Sequence, residues 1–453
     1  MKINELPHSF LNNMKEILKE DFQYFYSYLE KNEYRKSVTL NYKANKKDFV
    51  KQNLKGFEKV TLAEFGYYIP KDFRIGKSLL NHAGIIYSQD SSAMIPVELL
   101  NVEKGDNVLD LCSAPGGKSI QILNKTQGNG VLVSNEIIRS RASILYENLT
   151  KMGFNNFVIT NSTSEDFKNS NLIFDKILVD APCSGEGLFA KSDELIDWSE
   201  KYIIPNATRQ LSILENIKNC LKVGGTLVYS TCTFNLEENE KVVANFLKNN
   251  PNFELVEPPI KFKNNLTPGF KIDSFETEKT LRCYPHKCGG SGQFVAVIRK
   301  ISGTENLEKP VKFKNNLNQK EKKIVQDFLN QHLNLNESII DKCFKINDNI
   351  YIASSTMQNF DNIKVLCNGT VLGELRKDII KPNHSLFKGF AEYFKLKIEL
   401  NESDAKKYVF GEQIELKENL KGYGVFTYLG FPLGGFKANG DIANNLYPKS
   451  LRN

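Results

Sequence analysis

Two cysteines in this sequence stand where apolar segments give way to small and polar residues. Cys183 lies in DAPCSGEG, directly after the apolar run FDKILV, and Cys232 lies in STCTF, after TLVY. A thiol becomes a strong nucleophile once nearby charge or a helix N-terminus favours its ionised form. Most cysteines are inert core residues, as we expect for Cys220 on an apolar helix face. Cys183 and Cys232 instead follow strands, and Asp180 adds a carboxylate for proton transfer.

A second group of residues combines a glycine loop with an acidic side chain. The segment DLCSAPGGKS, residues 110–119, joins an apolar strand to a helix, and Gly116 and Gly117 allow a ligand to approach the backbone closely. Glu136 ends the next strand, where a carboxylate can grip both hydroxyls of a ribose. The loop matches neither GxGxxG nor the phosphate-binding GxxxxGK[ST]. Loop and acid together predict a site for a nucleoside cofactor.

These residues need a scaffold, and strands alternate with helices from about residue 100. Apolar strands such as NVLDLC and DKILVDA alternate with helical segments such as RASILYENLTKMG. This pattern predicts an α/β, doubly wound (Rossmann-like) core whose parallel sheet is covered on both faces. The carboxyl ends of adjacent parallel strands meet at one edge, so Cys183 and Cys232 should lie together beside the glycine loop. The last segment, GQFVAVIRK, could be an antiparallel edge strand.

The chain has 453 residues, which predicts two to four domains. We predict an N-terminal region over 1–95 and the α/β domain over 96–300. A polar linker precedes a small mixed α/β module over 313–381. The glycine- and aromatic-rich segment 382–453 predicts short strands joined by glycine turns in a compact β-barrel.

Composition indicates whether the chain is folded, which partners it suits and which compartment it occupies. A hydrophobic content of 41% suffices for buried cores and excludes a disordered chain. The net charge of +7 suits a polyanionic partner without requiring one. The chain shows no signal peptide and no apolar run of roughly 20 residues, so we expect a cytoplasmic protein with no membrane partner. Its eight cysteines lack the CxxC spacing of a zinc site, so we expect free thiols and no metal.

The motifs also resemble a known family. DLCSAPGGKS, DAPCSGEG and YSTCTF, in this order, resemble the Sun-type RNA cytosine-C5 methyltransferases, as do YSQDSSAM, RQLSIL and YPHKCGGSGQF around them. The likeness covers most of residues 85–300. The tail, with PNHSLF, LGGFK and LYPKSLR, resembles the PUA-like RNA-binding domain of the ribosomal RNA small subunit methyltransferase F group. The resemblance implies S-adenosyl-L-methionine as cofactor and RNA-binding modules on both sides of the core.

The resemblance also implies roles for the catalytic residues. Cys232 would add to cytosine C6, which makes C5 nucleophilic enough to attack the sulfonium methyl group. Asp180 would hold N3 and the exocyclic amine, and Cys183 would assist release of the product. Lys118 would lie near both the cofactor loop and the thiols, where its charge could favour a thiolate, unless it is an ordinary surface lysine.

For the cofactor, the resemblance implies contacts with the loop, with Glu136 on the ribose, and with Arg141 unless that side chain is simply an exposed helical arginine. Relatives often carry Asp after the third strand to bind the adenine amine; here Asn161 stands there, and its carbonyl can accept the same hydrogen bond. The implied cofactor-binding residues are Cys112, Ser113, Ala114, Pro115, Gly116, Gly117, Lys118, Glu136, Arg141, Asn161 and Asp180.

Basic and aromatic residues outside the core are candidates for phosphate contacts and base stacking, although each alone fits a surface charge or a core aromatic. They are Tyr34, Arg35, Lys36, Lys437, Tyr447, Lys449 and Arg452. Trp198 should pack beside the substrate cleft. His286 is either structural or part of the base pocket.

The leading hypothesis is an enzyme, acting as a monomer, that forms 5-methylcytosine in small-subunit (16S) ribosomal RNA. A transfer RNA methyltransferase with the same core is one alternative, and the accessory tail favours the ribosomal substrate. A non-catalytic RNA-binding ribosome assembly factor is another, which retention of both cysteines, Asp180 and Lys118 disfavours. A nicotinamide dehydrogenase is a distant third, because GxGxxG is missing after the first strand.

Overall fold

The computed structural model describes residues 6–191, 198–303, 315–354 and 360–452. Its first part begins with two helices, α1 (His8–Leu18) and α2 (Phe22–Glu30). Helix α1 buries Phe10, Met14 and Leu18, whose spacing of four residues puts them on one face. Next come β1 (Ser37–Leu40), α3 (Lys47–Asn53), β2 (Glu58–Lys59), β3 (Gly66–Tyr68), α4 (Leu79–His82) and β4 (Ile86–Ser88). These strands form an antiparallel sheet in the order β2, β3, β1, β4.

The core alternates strands and helices as the sequence pattern predicts. Its first half comprises α5 (Ile95–Leu100), β5 (Asn107–Asp110), α6 (Gly117–Thr126), β6 (Val131–Asn135), α7 (Arg139–Lys151), β7 (Phe157–Thr160), α8 (Ser164–Lys168) and β8 (Phe174–Asp180). Its second half comprises α9 (Ile203–Ile217), β9 (Leu221–Thr231), α10 (Glu240–Asn249), β10 (Phe253–Leu255), α11 (Ile260–Lys263), β11 (Thr267–Pro268), β12 (Leu281–Cys283), α12 (Pro285–Cys288) and β13 (Gln293–Lys300).

The C-terminal part contains two further sheets. Its elements are α13 (Gln319–His332), β14 (Cys343–Ile346), β15 (Asn349–Ile352), β16 (Val365–Asn368), β17 (Thr370–Arg376), β18 (Ile379–Pro382), α14 (His384–Gly389), β19 (Lys397–Glu399), α15 (Glu402–Phe410), β20 (Ile414–Tyr428) and β21 (Phe431–Asn445). One sheet has the order β14, β15, β17, β18, and the other has the order β19, β20, β21.

The core sheet has the order β11, β12, β13, β9, β8, β5, β6, β7, β16. Strands β7, β6, β5, β8 and β9 are mutually parallel, because helices carry the chain back between them. Strand β13 is antiparallel to β9, as its sequence suggested, but it is not an edge, since β12 pairs with its other side. The doubly wound core is therefore confirmed.

The C-terminal hairpin differs from the predicted short strands. Strands β20 and β21 are 15 residues long each and are joined by a tight turn at Leu429 and Gly430. Several glycines that suggested turns lie inside these strands and permit close packing. A Cβ at Gly435 would lie 2.3 Å from the ring of Phe387, and one at Gly424 would lie 2.4 Å from the ring of Phe436.

The two ends of the chain share one hydrophobic core, which we call the terminal core. It joins Val38, Leu40 and Ile86 of the first sheet to Phe426 and Phe436 of the last. In addition, β16 pairs with β7 and extends the core sheet, although its residues fall within the predicted 313–381 module. The start of that module lies outside the described residues. The division of the chain into four domains therefore stays a prediction.

Two observations bear on the predicted chemical setting. Cys283, at the end of β12, is joined to Cys288, at the end of α12, with Cα atoms 6.1 Å apart. The expectation of free thiols is therefore wrong for this pair, because the short helix turns the two side chains together. In the described part of the chain, no helix is long and apolar enough to cross a membrane, and no group of His, Cys, Asp and Glu is suited to a metal ion.

Candidate active site

The two strand-end cysteines lie side by side. Strands β8 and β9 are adjacent and parallel, with Asp180 paired to Ser230 in register. The loops that follow these strands bring Cys183 Sγ to 3.3 Å from Cys232 Sγ. Both side chains are partly exposed. This sheet edge therefore presents two thiols close enough to act on the same ligand atom.

The environment of Cys183 favours its protonated form. The hydrogen bond with Cys232, together with burial, holds the pKa of Cys183 well above its ordinary value. Cys183 therefore keeps its proton at neutral pH. A protonated thiol can donate that proton to a neighbouring sulfur.

Asp180 is fixed by three donors. Its Oδ1 accepts hydrogen bonds from Ser230 Oγ at 2.7 Å and Gln293 Nε2 at 2.9 Å, and its Oδ2 accepts one from Lys118 Nζ at 2.7 Å. Burial disfavours the charge of Lys118, but attraction to Asp180 and to Cys232 outweighs it and raises the lysine pKa. Lys118 is therefore a cation beside the thiols with a side chain only 12% exposed, and not an ordinary surface lysine.

The glycine loop runs from the end of β5 into the first turn of α6. Its Ala114–Pro115 peptide bond is cis, and Gly116 adopts a left-handed conformation with φ 114°. The Ala114 carbonyl accepts a hydrogen bond from Arg141 Nη2 at 2.8 Å, and the Ser113 N–H donates to Asn135 O. At Gly117 a Cβ would lie 3.3 Å from Gln89. The loop is thus tied to β6 and α7, beside the N-terminus of a ten-residue helix.

Glu136 lies buried at the end of β6, next to this loop. Its Oε1 accepts a hydrogen bond from the Ile138 N–H, and Arg141 Nη1 lies 3.4 Å from Oε2. Arg141 therefore links the acid to the loop and is not a detached surface residue. Asn161 donates from Nδ2 to the carbonyls of Glu136 and Ile137, both at 2.8 Å, so its side-chain oxygen points away from these two carbonyls.

These residues fit the cofactor that the family resemblance implies. Glu136 offers a carboxylate to a ribose, and Ile137 and Ile138 beside it are 61% and 49% exposed, which provides an apolar surface for a flat base. Behind the loop, Asp110 is fully buried, and its Oδ1 has no hydrogen-bond partner among the described residues. Burial raises the pKa of Asp110 to about 7. Cys112 is partly exposed as a residue, but burial of its thiol raises the pKa of that group above its ordinary value.

The sequence interpretation missed several residues of the site. Gln293 reaches Asp180 from β13, a strand that follows far later in the chain. Glu186 and Glu238 hold the loops of the two cysteines. Glu186 lies within DAPCSGEG, and Gln293 lies within YPHKCGGSGQF. Both residues therefore belong to motifs that the sequence had already indicated as part of the site. Only the fold reveals which side chains these residues meet.

The candidate RNA contacts divide into two groups. Tyr447 is buried, and its hydroxyl lies 2.7 Å from His82 Nδ1, so of the two alternatives for this residue the structure supports the core aromatic and not the nucleic-acid contact. Arg452 Nη2 donates to Tyr447 O, and its guanidinium packs against Gly411. The remaining candidates are more accessible: Arg35 stacks on Tyr68 at 3.9 Å and pairs with Glu58, Tyr34 is half-buried, and Lys36, Lys437 and Lys449 are exposed.

Trp198 and His286 belong to an aromatic cluster with the first two helices. The Trp198 ring lies 6.0 Å from Phe10 and 6.3 Å from Phe189. His286 lies 6.0 Å from both Phe25 and Tyr284, and burial lowers its pKa to about 4. This environment favours the structural role for His286.

Family models match three segments of the chain. The model described as 16S rRNA methyltransferase RsmB/F matches residues 97–299. The model of the N-terminal domain of 16S rRNA methyltransferase RsmF matches residues 6–91, and that of the methyltransferase RsmF PUA domain matches residues 395–453. All three matches name methyltransferases.

Individual proteins show the same likeness. The ribosomal RNA small subunit methyltransferase F of Shewanella piezotolerans is 31% identical over 98% of this chain and 96% of its own length. The protein of the same name from Photobacterium profundum is 32% identical over 84% of this chain and 81% of its own. The crystal structure of a methyltransferase homolog protein from Pyrococcus horikoshii superposes with a TM-score of 0.54 at 29% identity, over 65% of this chain and 100% of that one.

The fold and the family matches define an S-adenosylmethionine-dependent methyltransferase. The matches also identify the family, because they cover the flanking domains as well as the core. The chain belongs to the ribosomal RNA small subunit methyltransferase F family. It is a ribosomal RNA methyltransferase, which confirms the resemblance and the cofactor inferred from the sequence motifs.

Proposed function

We propose that this enzyme methylates carbon 5 of cytosine in small-subunit (16S) ribosomal RNA, with Cys232 as the nucleophile. The observation that carries the proposal is the 3.3 Å separation of Cys183 Sγ and Cys232 Sγ beside the ion pair of Lys118 and Asp180. A methyltransferase that modified an exocyclic nitrogen or a ribose oxygen would have no use for two adjacent thiols. The names of the relatives support the small-subunit substrate.

Carbon 5 of cytosine is a poor nucleophile until another group adds to the ring. In the proposed first step the Cys232 thiolate forms a bond to C6, which turns C5 into an enamine-like carbon. Bound S-adenosylmethionine supplies an electrophilic methyl group at the glycine loop. Lys118 favours the thiolate by its charge, and Asp180 orients the ring through N3 and the exocyclic amine.

Release of the product needs a second set of events. The C5 proton leaves to a base, the C6–S bond breaks, and the electrons of that bond return to Cys232. Cys183 has a raised pKa and lies in hydrogen-bond contact with Cys232, so it can give its proton to the departing sulfur. The retained proton supports Cys183 as the residue that assists release, and leaves Cys232 as the proposed nucleophile.

The flanking domains would hold the RNA so that one cytosine leaves its stack and enters the site. Lys437 and Lys449 are exposed on the C-terminal domain, and Lys36 is exposed on the first. We further propose that the enzyme acts in the cytoplasm as a monomer, because ribosomal RNA is the substrate and the site takes residues from one chain.

Bisulfite sequencing of total RNA from cells with and without this gene tests the proposal. Loss of protected cytosines confined to small-subunit ribosomal RNA is the expected result and would identify the sites. Loss in transfer RNA would keep the chemistry and contradict the substrate. No loss in any RNA would contradict the cytosine-C5 chemistry and favour an assembly role without catalysis.

A further inference from the structure

Glu186 is a buried carboxylate that the proposed chemistry does not use. It lies three residues after Cys183, and its side chain reaches across to the loop that follows Cys232. Its Oε2 accepts hydrogen bonds from Thr233 Oγ1 at 2.7 Å, Phe234 N at 2.6 Å and Asn235 N at 3.0 Å. One carboxylate therefore fixes the three residues that follow Cys232.

Glu238 makes the opposite connection. It follows Cys232 in the chain, and its Oε2 accepts a hydrogen bond from Ser184 N at 2.9 Å, next to Cys183. The same oxygen accepts from Gln210 Nε2 at 2.9 Å, and Gln210 Nε2 also donates to Pro182 O. The loop of Cys183 is thus held on both sides of the cysteine.

Asn235 joins the two carboxylates. Its Nδ2 donates to Glu238 Oε1 at 2.8 Å, its N–H donates to Glu186, and its Oδ1 accepts from Glu238 N at 2.9 Å. Glu186 and Glu238 are 2% and 0% exposed. A buried carboxylate is costly unless its oxygens accept hydrogen bonds, and here each of the four oxygens accepts at least one, the longest being from Asn235 Nδ2 to Glu186 Oε1 at 3.4 Å.

We propose that Glu186 and Glu238 form a reciprocal clasp, each projecting from the loop of one cysteine and holding the backbone of the other, which sets the position of the two thiols. They are positioning residues, because neither is placed against the substrate. This inference rests on the proposed cysteine chemistry for its functional consequence. Its structural part, the fixed spacing of the thiols, does not depend on which RNA is modified.

The local backbone explains why a clasp is needed. Both cysteines lie in loops after their strands, outside the sheet ladder that fixes Asp180 and Ser230. Gly187 packs so closely that a Cβ would lie 2.9 Å from Cys232 O, and its N–H donates to that oxygen at 2.8 Å. Displacement of a reacting group by about 1 Å can lower a rate by about 100-fold. The loops must therefore be held by contacts other than the sheet.

Phenylarsine oxide measures the thiol spacing directly in the full-length protein. The trivalent arsenic forms one bond to each of two thiol sulfurs, and the two thiol protons leave with the oxygen as water. We expect tight binding by the wild type and weak binding by Cys183→Ser, which reports the background from other cysteines. Glu186→Ala and Glu238→Ala should weaken the binding by about 10-fold or more, because their thiols no longer occupy fixed positions.

The methyl-transfer reaction gives the second readout. Both variants should lower kcat by about 10- to 100-fold while KM for RNA and for the cofactor stays within about twofold, since neither residue contacts a ligand. Glu186→Gln keeps an oxygen for the amides of Phe234 and Asn235, so it should recover part of the loss. If thermal melting shows that Glu186→Ala and Glu238→Ala do not fold, Asn235→Ala is tested in their place, because it removes the side chain that connects the two carboxylates.

Glu98→Gln is the matched control. This buried carboxylate accepts hydrogen bonds from Glu64 N, Gln121 Nε2 and Lys125 Nζ, at the contact between α5 and α6. Glu98→Gln should leave arsenical binding and kcat unchanged, although it lowers the stability of the protein by a comparable amount. Folded clasp variants with wild-type arsenical binding and wild-type kcat would overturn the clasp, as would a wild type that binds no more tightly than Cys183→Ser. A wild type that binds the arsenical but methylates no cytosine would overturn the proposed function and leave the clasp standing.

Discussion

Lys118 and Asp180 join the cofactor loop to the loop of the thiols. The lysine lies in the first turn of α6, the aspartate ends β8, and the Nζ and Oδ2 atoms are 2.7 Å apart. Lys118 is also coupled to Cys232 by charge. A single cation therefore acts on both the residue proposed to orient the base and the residue proposed to attack it.

Replacing Lys118 by methionine tests this double role. We expect kcat to fall by about 100-fold, because the partly exposed carboxylate of Asp180 loses its cationic partner and the charge that favours a thiolate is removed. The rising limb of the pH–rate profile should move to higher pH. Lys125→Met, a change of a lysine later in the same helix, should leave the profile in place. A profile that does not move in Lys118→Met would contradict the electrostatic role.

Cys232→Ala should reduce methyl transfer to the uncatalysed background, because the proposed nucleophile is removed and the neighbouring thiol of Cys183 keeps its proton. The affinity for RNA should stay within about twofold, since one partly exposed thiol contributes little to a large nucleic-acid interface. Transfer of a labelled methyl group and a filter-binding assay measure the two quantities. Turnover that survives the substitution would refute Cys232 as the nucleophile.

Cys183→Ala should trap the reaction after methylation. The variant can still form the bond between Cys232 and the RNA but lacks the neighbouring proton donor that helps to break it. A denaturing gel should then show a slow-migrating enzyme–RNA complex that depends on the cofactor. The double variant with Cys232→Ala provides the control, because it should form no complex. Absence of the complex in Cys183→Ala alone would remove the release role.

The exposed lysines of the C-terminal domain offer a cleaner test of RNA binding than truncation. Deleting that domain would uncover the terminal core, so loss of binding could follow from unfolding. Lys437→Gln combined with Lys449→Gln should instead weaken RNA binding and lower the slope of log affinity against log salt by about two, while cofactor affinity is unchanged. Lys406→Gln, which breaks a surface ion pair with Glu402, is the control. An unchanged slope would exclude these lysines as phosphate contacts.

Acid should weaken the contact between the two ends of the chain. Burial lowers the pKa of His82 from 6.5 to about 4, so the unfolded chain binds the proton more readily than the folded one. The stability that His82 contributes is fully present above about pH 6.5 and is lost as the pH falls towards 4, a change of roughly 2–3 kcal/mol. Thermal melting from pH 7 to pH 4.5 measures it.

His82→Gln should flatten this pH dependence, and Tyr447→Phe should cost about 1 kcal/mol at pH 7 by removing the hydrogen bond between the two residues. His384 at the same contact has a pKa lowered to about 3 by burial, so it titrates in the same direction at lower pH. If His82→Gln melts with the same pH dependence as the wild type, His82 is not the sensor.

The sequence predicted the core because its strands are apolar throughout and its helices are amphipathic, which leaves few alternatives to a covered parallel sheet. The same logic predicted that Cys183 and Cys232 would meet, since both follow adjacent strands. The C-terminal hairpin was less predictable. Glycine is ambiguous in a sequence, because it serves both tight turns and close packing against aromatic rings, and here Gly424 and Gly435 do the latter.

Other contacts could not be predicted because they join residues far apart in the chain. Gln293 reaches Asp180 through the antiparallel pairing of β13 with β9, and the sequence did not specify that register. Tyr447 was a candidate for stacking on a base, but in the structure its hydroxyl contacts His82, which lies 365 positions earlier in the chain. Such pairings depend on how whole modules pack, which no local pattern encodes.

The terminal core has a consequence for how the protein is made. Leu40 and Ile86 leave the ribosome before Phe426 and Phe436, which pack in the same core but lie far later in the chain. At about 5–20 residues per second, this delay is on the order of tens of seconds. During that time the apolar face of the first sheet is open to chaperones and to other nascent chains. The enzyme therefore completes its first module only after the strands of the C-terminal hairpin have emerged.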